Sequence, residues 1–101
     1  MQDTDPTIEG RVALWRVDLD GADRRIEALI QWPPDPDRPE SLDYGRRLAA
    51  IRDAHGELRL ALQLFARAVE VELAAADIER RLVALQHDLA LLEQQVAQLR
   101  G

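Results

Sequence analysis

The sequence predicts a mainly α protein with a small N-terminal β-hairpin, an α+β fold in which a short helix precedes one long C-terminal coiled-coil helix. Three observations lead there. Every a and d position of a seven-residue repeat is apolar across residues 61–99: a is Ala61, Ala68, Ala75, Leu82, Leu89 and Val96, and d is Leu64, Val71, Ile78, Leu85, Leu92 and Leu99. Neither Gly nor Pro interrupts residues 57–100, as in a helix made to lie along another helix. Residues 11–32, by contrast, alternate apolar and polar side chains on either side of an Asp-Gly pair, the two-residue period of paired strands.

The elements follow in order. Residues 1–10 read as a disordered, acidic lead. In the hairpin, 11–32, Ala13, Trp15, Val17 and Leu19 share one face with Ile26, Ala28, Ile30 and Trp32, and Asp20-Gly21-Ala22-Asp23 makes the turn. A four-residue loop sets Arg16 opposite Glu27 and Asp18 opposite Arg25, whereas a two-residue loop sets Arg16 opposite Arg25; cross-strand charge favours the longer loop. A helix near residues 22–31 is the competing assignment. The run Pro33-Pro34-Asp35-Pro36-Asp37-Arg38-Pro39, within a connector spanning 33–40, is too Pro-rich for a helix or an inner strand. Ser41 then caps a helix over 42–55, which His55-Gly56 stops.

The long helix starts at residue 57. Over 57–76 it carries a second apolar row, Leu58, Leu62, Phe65, Val69, Leu73 and Ala76, so this half belongs with the hairpin and short helix in a head spanning 11–76. Beyond residue 77 only the narrow seam persists, and 77–101 read as a protruding arm. Its interface residues are Ile78, Leu82, Leu85, Leu89, Leu92, Val96 and Leu99. At about 1.5 Å per residue the long helix spans roughly 65 Å and the short one about 20 Å, so the short helix cannot cover the arm. A second copy of the chain can, which makes a homodimer the expectation. The alternative is a break at Ala74-Ala75-Ala76-Asp77, with Asp77 capping a third helix that folds back.

Composition narrows the function. Residues 1–45 hold eleven acids and five Arg, and residues 46–101 hold eight of each, which together give the net charge of −6. An acidic N-terminal half argues against direct binding to nucleic acid or to an anionic membrane and favours a basic protein partner. Cys and Lys are both absent. The Arg-, Ala- and Leu-rich usage fits a GC-rich bacterial source. With no apolar run long enough to cross a bilayer and no apolar leader, a cytoplasmic location is expected.

Chemistry-bearing patterns are sparse. Asp18-Leu19-Asp20-Gly21-Ala22-Asp23 looks like part of a calcium loop, but its Gly comes too early and Leu29 stands where a bidentate Glu is needed. With a single Ser, two separated His (His55, His87) and no Gly-rich phosphate loop, no nucleophile and base are paired, so no enzyme activity, metal or cofactor is expected. Arg46, Arg47 and Arg52 fall short of a nucleic-acid recognition helix. The candidate partner-binding residues are Trp15 and Trp32, because Trp anchors many interfaces, with the acidic run Asp35, Asp37, Glu40 and Asp43. The expected function is therefore a non-enzymatic, oligomeric protein-interaction module, such as an adaptor, an assembly chaperone or a regulatory subunit. The alternative is a small acidic inhibitor, of the antirestriction or anti-CRISPR type carried by mobile elements, that blocks a nucleic-acid-binding protein.

Overall fold

In the computed structural model, which describes residues 8–31, 35, 37–65 and 67–100, the seven-residue repeat is present three times over. Helix α1 (Ile8–Gln31) buries Trp15, Leu19, Ala22, Ile26 and Leu29, with Val12 partly buried. Helix α2 (Glu40–Phe65) buries Tyr44, Ile51, His55, Leu58, Leu62 and Phe65 along the same stripe, with Leu48 partly buried. Helix α3 (Val71–Arg100) buries Ala75, Ile78, Leu82, Leu85, Leu89, Leu92 and Val96. Each series steps by three and four residues, so each stripe stays on one side of its helix and the three stripes close on one core.

The contacts set the directions. Along α1 and α2, Trp15 meets Phe65, Leu19 meets His55 and Leu29 meets Tyr44, so these two helices are antiparallel. Arg47 reaches Gln95, consistent with α3 turning back along α2. Arg11–Glu72 and Arg25–Glu93 then place α3 parallel to α1. The chain is an all-α, up-down-up bundle of three helices.

This corrects the α+β expectation at its N-terminal end. Among the described residues there is no strand, and residues 11–31 are helical. The series Val12, Trp15, Leu19, Ala22, Ile26, Leu29 runs through Asp20 and Gly21 without a break. As a helix this stretch buries five of the six, and Val12 in part, against two neighbours, whereas an isolated two-stranded hairpin is marginal in water. Val17, placed inside the hairpin, is 68% exposed. Gly21 lies within the helix, and packing outweighs its intrinsic cost of about 1 kcal/mol relative to Ala. The disordered lead lies mostly outside the described residues, but residues 8–10 are already helical.

The helix boundaries expected at 42–55 and 57–100 are corrected too. His55-Gly56 does not stop α2: His55 is a buried stripe residue whose Nε2 is 3.1 Å from the Leu19 carbonyl. A carbonyl only accepts, so Nε2 carries the proton and donates. The reversal comes instead between Phe65 and Val71. There the Arg67 and Ala68 amides donate to the carbonyls of Leu64 and Phe65 at 3.0 Å. These tight i to i−3 bonds satisfy the last carbonyls of α2 without Gly or Pro. The break considered at residues 74–77 is absent: Asp77 lies inside α3 and accepts from Arg80 and Arg81.

The two apolar rows of residues 58–76 therefore belong to two helices. The row Leu58, Leu62, Phe65 faces the core from α2, and Val71, Ala75, Ile78 faces it from α3, while Leu64, in the supposed seam, is 52% exposed. A frame drawn straight through the turn joins residues that never share a face. No long arm protrudes, and the seam Ile78, Leu82, Leu85, Leu89, Leu92 and Val96 is buried against the other two helices of its own chain, with Leu99 partly buried. The length argument that called for a second copy thus loses its premise.

Asp35 organises the link from α1 to α2. Its side chain accepts from the Asp37 amide at 2.9 Å and its carbonyl accepts from the Arg38 amide and the Ser41 hydroxyl. Ser41 sits in the first turn of α2 rather than before it.

Candidate functional site

The sequence-derived candidates separate in the structure. Trp15 is 5% exposed and meets Phe65 edge-to-face, with ring centroids 5.0 Å apart and planes at 80°, a favoured aromatic geometry. It is a core residue whose edge also reaches a surface groove. Trp32 lies outside the described residues. Asp35, Asp37, Glu40 and Asp43 are all exposed at the α1–α2 link, at the other end of α1 from Trp15, about 24 Å along the helix from residue 15 to residue 31. Asp35 is occupied by its own turn, and Asp43 accepts from Gln95 at 3.3 Å. These four carboxylates and Trp15 do not form one site.

Among the described residues, no cluster of three or more His, Asp or Glu side chains is placed to hold a metal ion. Asp20, from the supposed calcium loop, faces Arg59 of α2 at 4.0 Å. His55 is held in the core by Leu19, and His87 is exposed on α3. Among the described residues, no helix is long and apolar enough to cross a membrane.

What the structure does bring together is an apolar groove between α1 and α3. The core series on both helices fixes which residues lie one step outside it. Here these are Asp18 on α1 and Glu79 on α3, each seven residues on from the Arg11–Glu72 pair, and Leu14 and Val17 on α1 and Ala76 and Val83 on α3 flank them farther out. Leu14, Val17 and Val83 are 65%, 68% and 66% exposed. Leu14, Val17, Leu82 and Val83 line a shallow depression of about 470 Å³ with Asp18, Glu79 and Gln86. A second depression of about 410 Å³ lies beside it, lined by Arg11, Leu14, Glu72, Ala76 and Glu79. From Glu72 to Gln86 the groove follows α3 for about 21 Å, or four helical turns.

Two ion pairs hold the helices that form the groove. Arg11 Nη1 donates to Glu72 at 2.8 Å at one end. Farther along, Arg25 grips both oxygens of Glu93 through Nε at 3.0 Å and Nη2 at 2.6 Å. This hydrogen bond is the main cause raising the Arg25 pKa above its usual value, reinforced by the charge of Glu93 and opposed by desolvation. Between the pairs, Asp18 and Glu79 face no cation within ion-pair reach among the described residues. The groove thus carries two carboxylates, Asp18 and Glu79, among its apolar lining of Leu14, Val17, Leu82 and Val83.

A second exposed apolar group surrounds the α2–α3 reversal: Leu60, Leu64, Val69 and Leu73. The sequence contained the signal for both surfaces. Leu14, Val17 and Val83 are large apolar residues off the core stripe, but only the correct helical phase shows that they are off it. Comparison with protein-family models, with curated proteins and with solved structures gave no match.

Proposed function

We propose that this chain is a non-enzymatic protein-interaction module, an adaptor, assembly chaperone or regulatory subunit, in which a three-helix bundle presents a preformed surface to another protein. The observation that carries this reading is the exposure, near two-thirds, of Leu14, Val17 and Val83 around one groove in a small chain whose core stripes are otherwise satisfied. Scattered surface hydrophobics need no explanation, but apolar side chains gathered on one groove mark contact surfaces. The seam Ile78 to Leu99 is filled within the chain, with Leu82 reaching the lining of the groove.

A second reading, an acidic inhibitor of a nucleic-acid-binding protein, draws on the exposed carboxylates Asp35, Asp37, Glu40 and Asp43 at the α1–α2 link. One experiment separates the two. The tagged chain and its Val17→Asp variant are used to capture proteins from a bacterial lysate, with and without nuclease. The module reading expects a protein retained after nuclease and lost from the variant. Capture that survives Val17→Asp but is lost when Asp35, Asp37, Glu40 and Asp43 are changed to Asn or Gln overturns it in favour of the inhibitor.

A further inference from the structure

We infer that the α1–α3 groove takes a basic amphipathic helix of about four turns, laid along the bundle as a fourth helix with its cations over Asp18 and Glu79. This rests on the interaction-module reading and names the partner of that surface. The dimensions point to a helix: a shallow trough about 21 Å long between two parallel helices matches the length of fourteen helical residues, and an amphipathic helix uses i, i+3, i+4 and i+7 side chains to fill such a trough. The apolar residues it would cover are Leu14, Val17 and Val83, with Ala76 leaving room for close approach.

Charge selects the occupant. Asp18 from α1 and Glu79 from α3 both line the trough, with no cation in ion-pair reach among the described residues, while the nearby Arg11 is already engaged with Glu72. A second copy laid face to face would bring four such carboxylates onto one apolar contact, in a chain whose net charge is −6. Like charges on a drying interface oppose association. A helix bearing Arg or Lys beside its apolar stripe meets both features at once.

The test is selection from a phage-displayed library of 18-residue helices, with apolar residues fixed at i, i+3, i+7 and i+10 and flanking positions free to be Arg, Lys, Gln or Glu, against the intact chain. The expected winners are rich in Arg or Lys, bind Val83→Asp at least tenfold more weakly, and lose affinity similarly on the double change Asp18→Lys, Glu79→Lys. Amide shifts on binding concentrate in residues 14–18 and 79–86. Because Val17 and Val83 are exposed, Val17→Asp serves as a second variant, with circular dichroism reporting that each remains helical. Winners with acidic or neutral flanks overturn the proposal. Winners indifferent to Val83→Asp but lost on Leu64→Asp move the docking site to the α2–α3 reversal and leave the module reading standing. An empty selection overturns both. A concentration-dependent dimer that Val83→Asp dissolves names a second copy as the occupant and overturns the basic helix.

Discussion

The α1–α3 and α2–α3 junctions are built on the same inner stripe of α3 and differ outside it. Toward α2, in the middle and lower part of the bundle, the margin is polar: Arg47 Nη1 donates to Gln95 at 2.7 Å, Gln95 donates to Asp43, and Asp88 faces Arg47 across a small cleft. Toward α1, the ion pairs Arg11–Glu72 and Arg25–Glu93 bracket a margin of Leu14, Val17, Ala76 and Val83. The inner stripe decides that the helices pack. The residues farther out decide whether the rim of the junction is polar or apolar. Coiled-coil logic thus fixes packing within the chain, and under the proposed function recognition falls to positions that the heptad treats as peripheral.

The largest effect expected from this contrast lies within α3 itself. Leu89 has no exposed surface, so Leu89→Ala should cost about 2–5 kcal/mol through lost burial and the cavity left behind. Val83→Ala, on the outer margin, should change stability by less than about 0.5 kcal/mol. Urea unfolding followed by circular dichroism compares the two, and equal losses would abolish the distinction between stripe and margin. Leu89→Asp should unfold the chain rather than release two folded copies. A sedimentation run showing folded half-mass material would instead restore the coiled-coil dimer.

Smaller effects sharpen the same comparison. Arg25→Gln should cost roughly 0.5–1 kcal/mol, a figure already discounted because both partners are more than a third exposed. The sign with pH follows from the raised Arg25 pKa: its contribution is present throughout the neutral range and is lost only as strong alkali titrates the guanidinium. A double-mutant cycle with Glu93→Gln measures the coupling, and a value near zero would mean that the pair does not hold the groove's helices. Gly21→Ala should stabilise by about 0.5–1 kcal/mol, because a Cβ there meets nothing within 4 Å and the backbone is helical. For a domain of this size that raises the melting temperature by roughly 2–8 °C. A destabilised Gly21→Ala would return residues 20–23 to a turn.

The two ends of the chain were unequally legible. The repeat over residues 71–99 is visible in the sequence because apolar side chains, mostly Leu, hold it without exception, and the stripe in α3 is that repeat. The series from Val12 to Leu29 is equally regular, but Gly21 and the Asp-Gly pair mask it, and Ala13, Trp15, Val17 and Leu19 satisfy a two-residue period as well. Two periods can coexist in a short stretch, and only the neighbours that bury one of them choose between them. His55-Gly56 failed as a stop for a related reason. A His with one carbonyl to donate to can occupy a core position, and an exposed Gly is tolerated in a helix packed on its other side.

What the sequence by itself determined is the seven-residue repeat of the C-terminal helix and a surplus of acid in the first half. Only the tertiary structure decided where the stripe changes helix, that the chain turns back between Phe65 and Val71, and that the α3 seam is closed by the same chain. The physical reason is that a turn built from i to i−3 hydrogen bonds needs no Gly or Pro and leaves no mark in composition. Once that turn is made, every position is reassigned as inside or outside. Leu14, Val17 and Val83 then become a surface rather than a core.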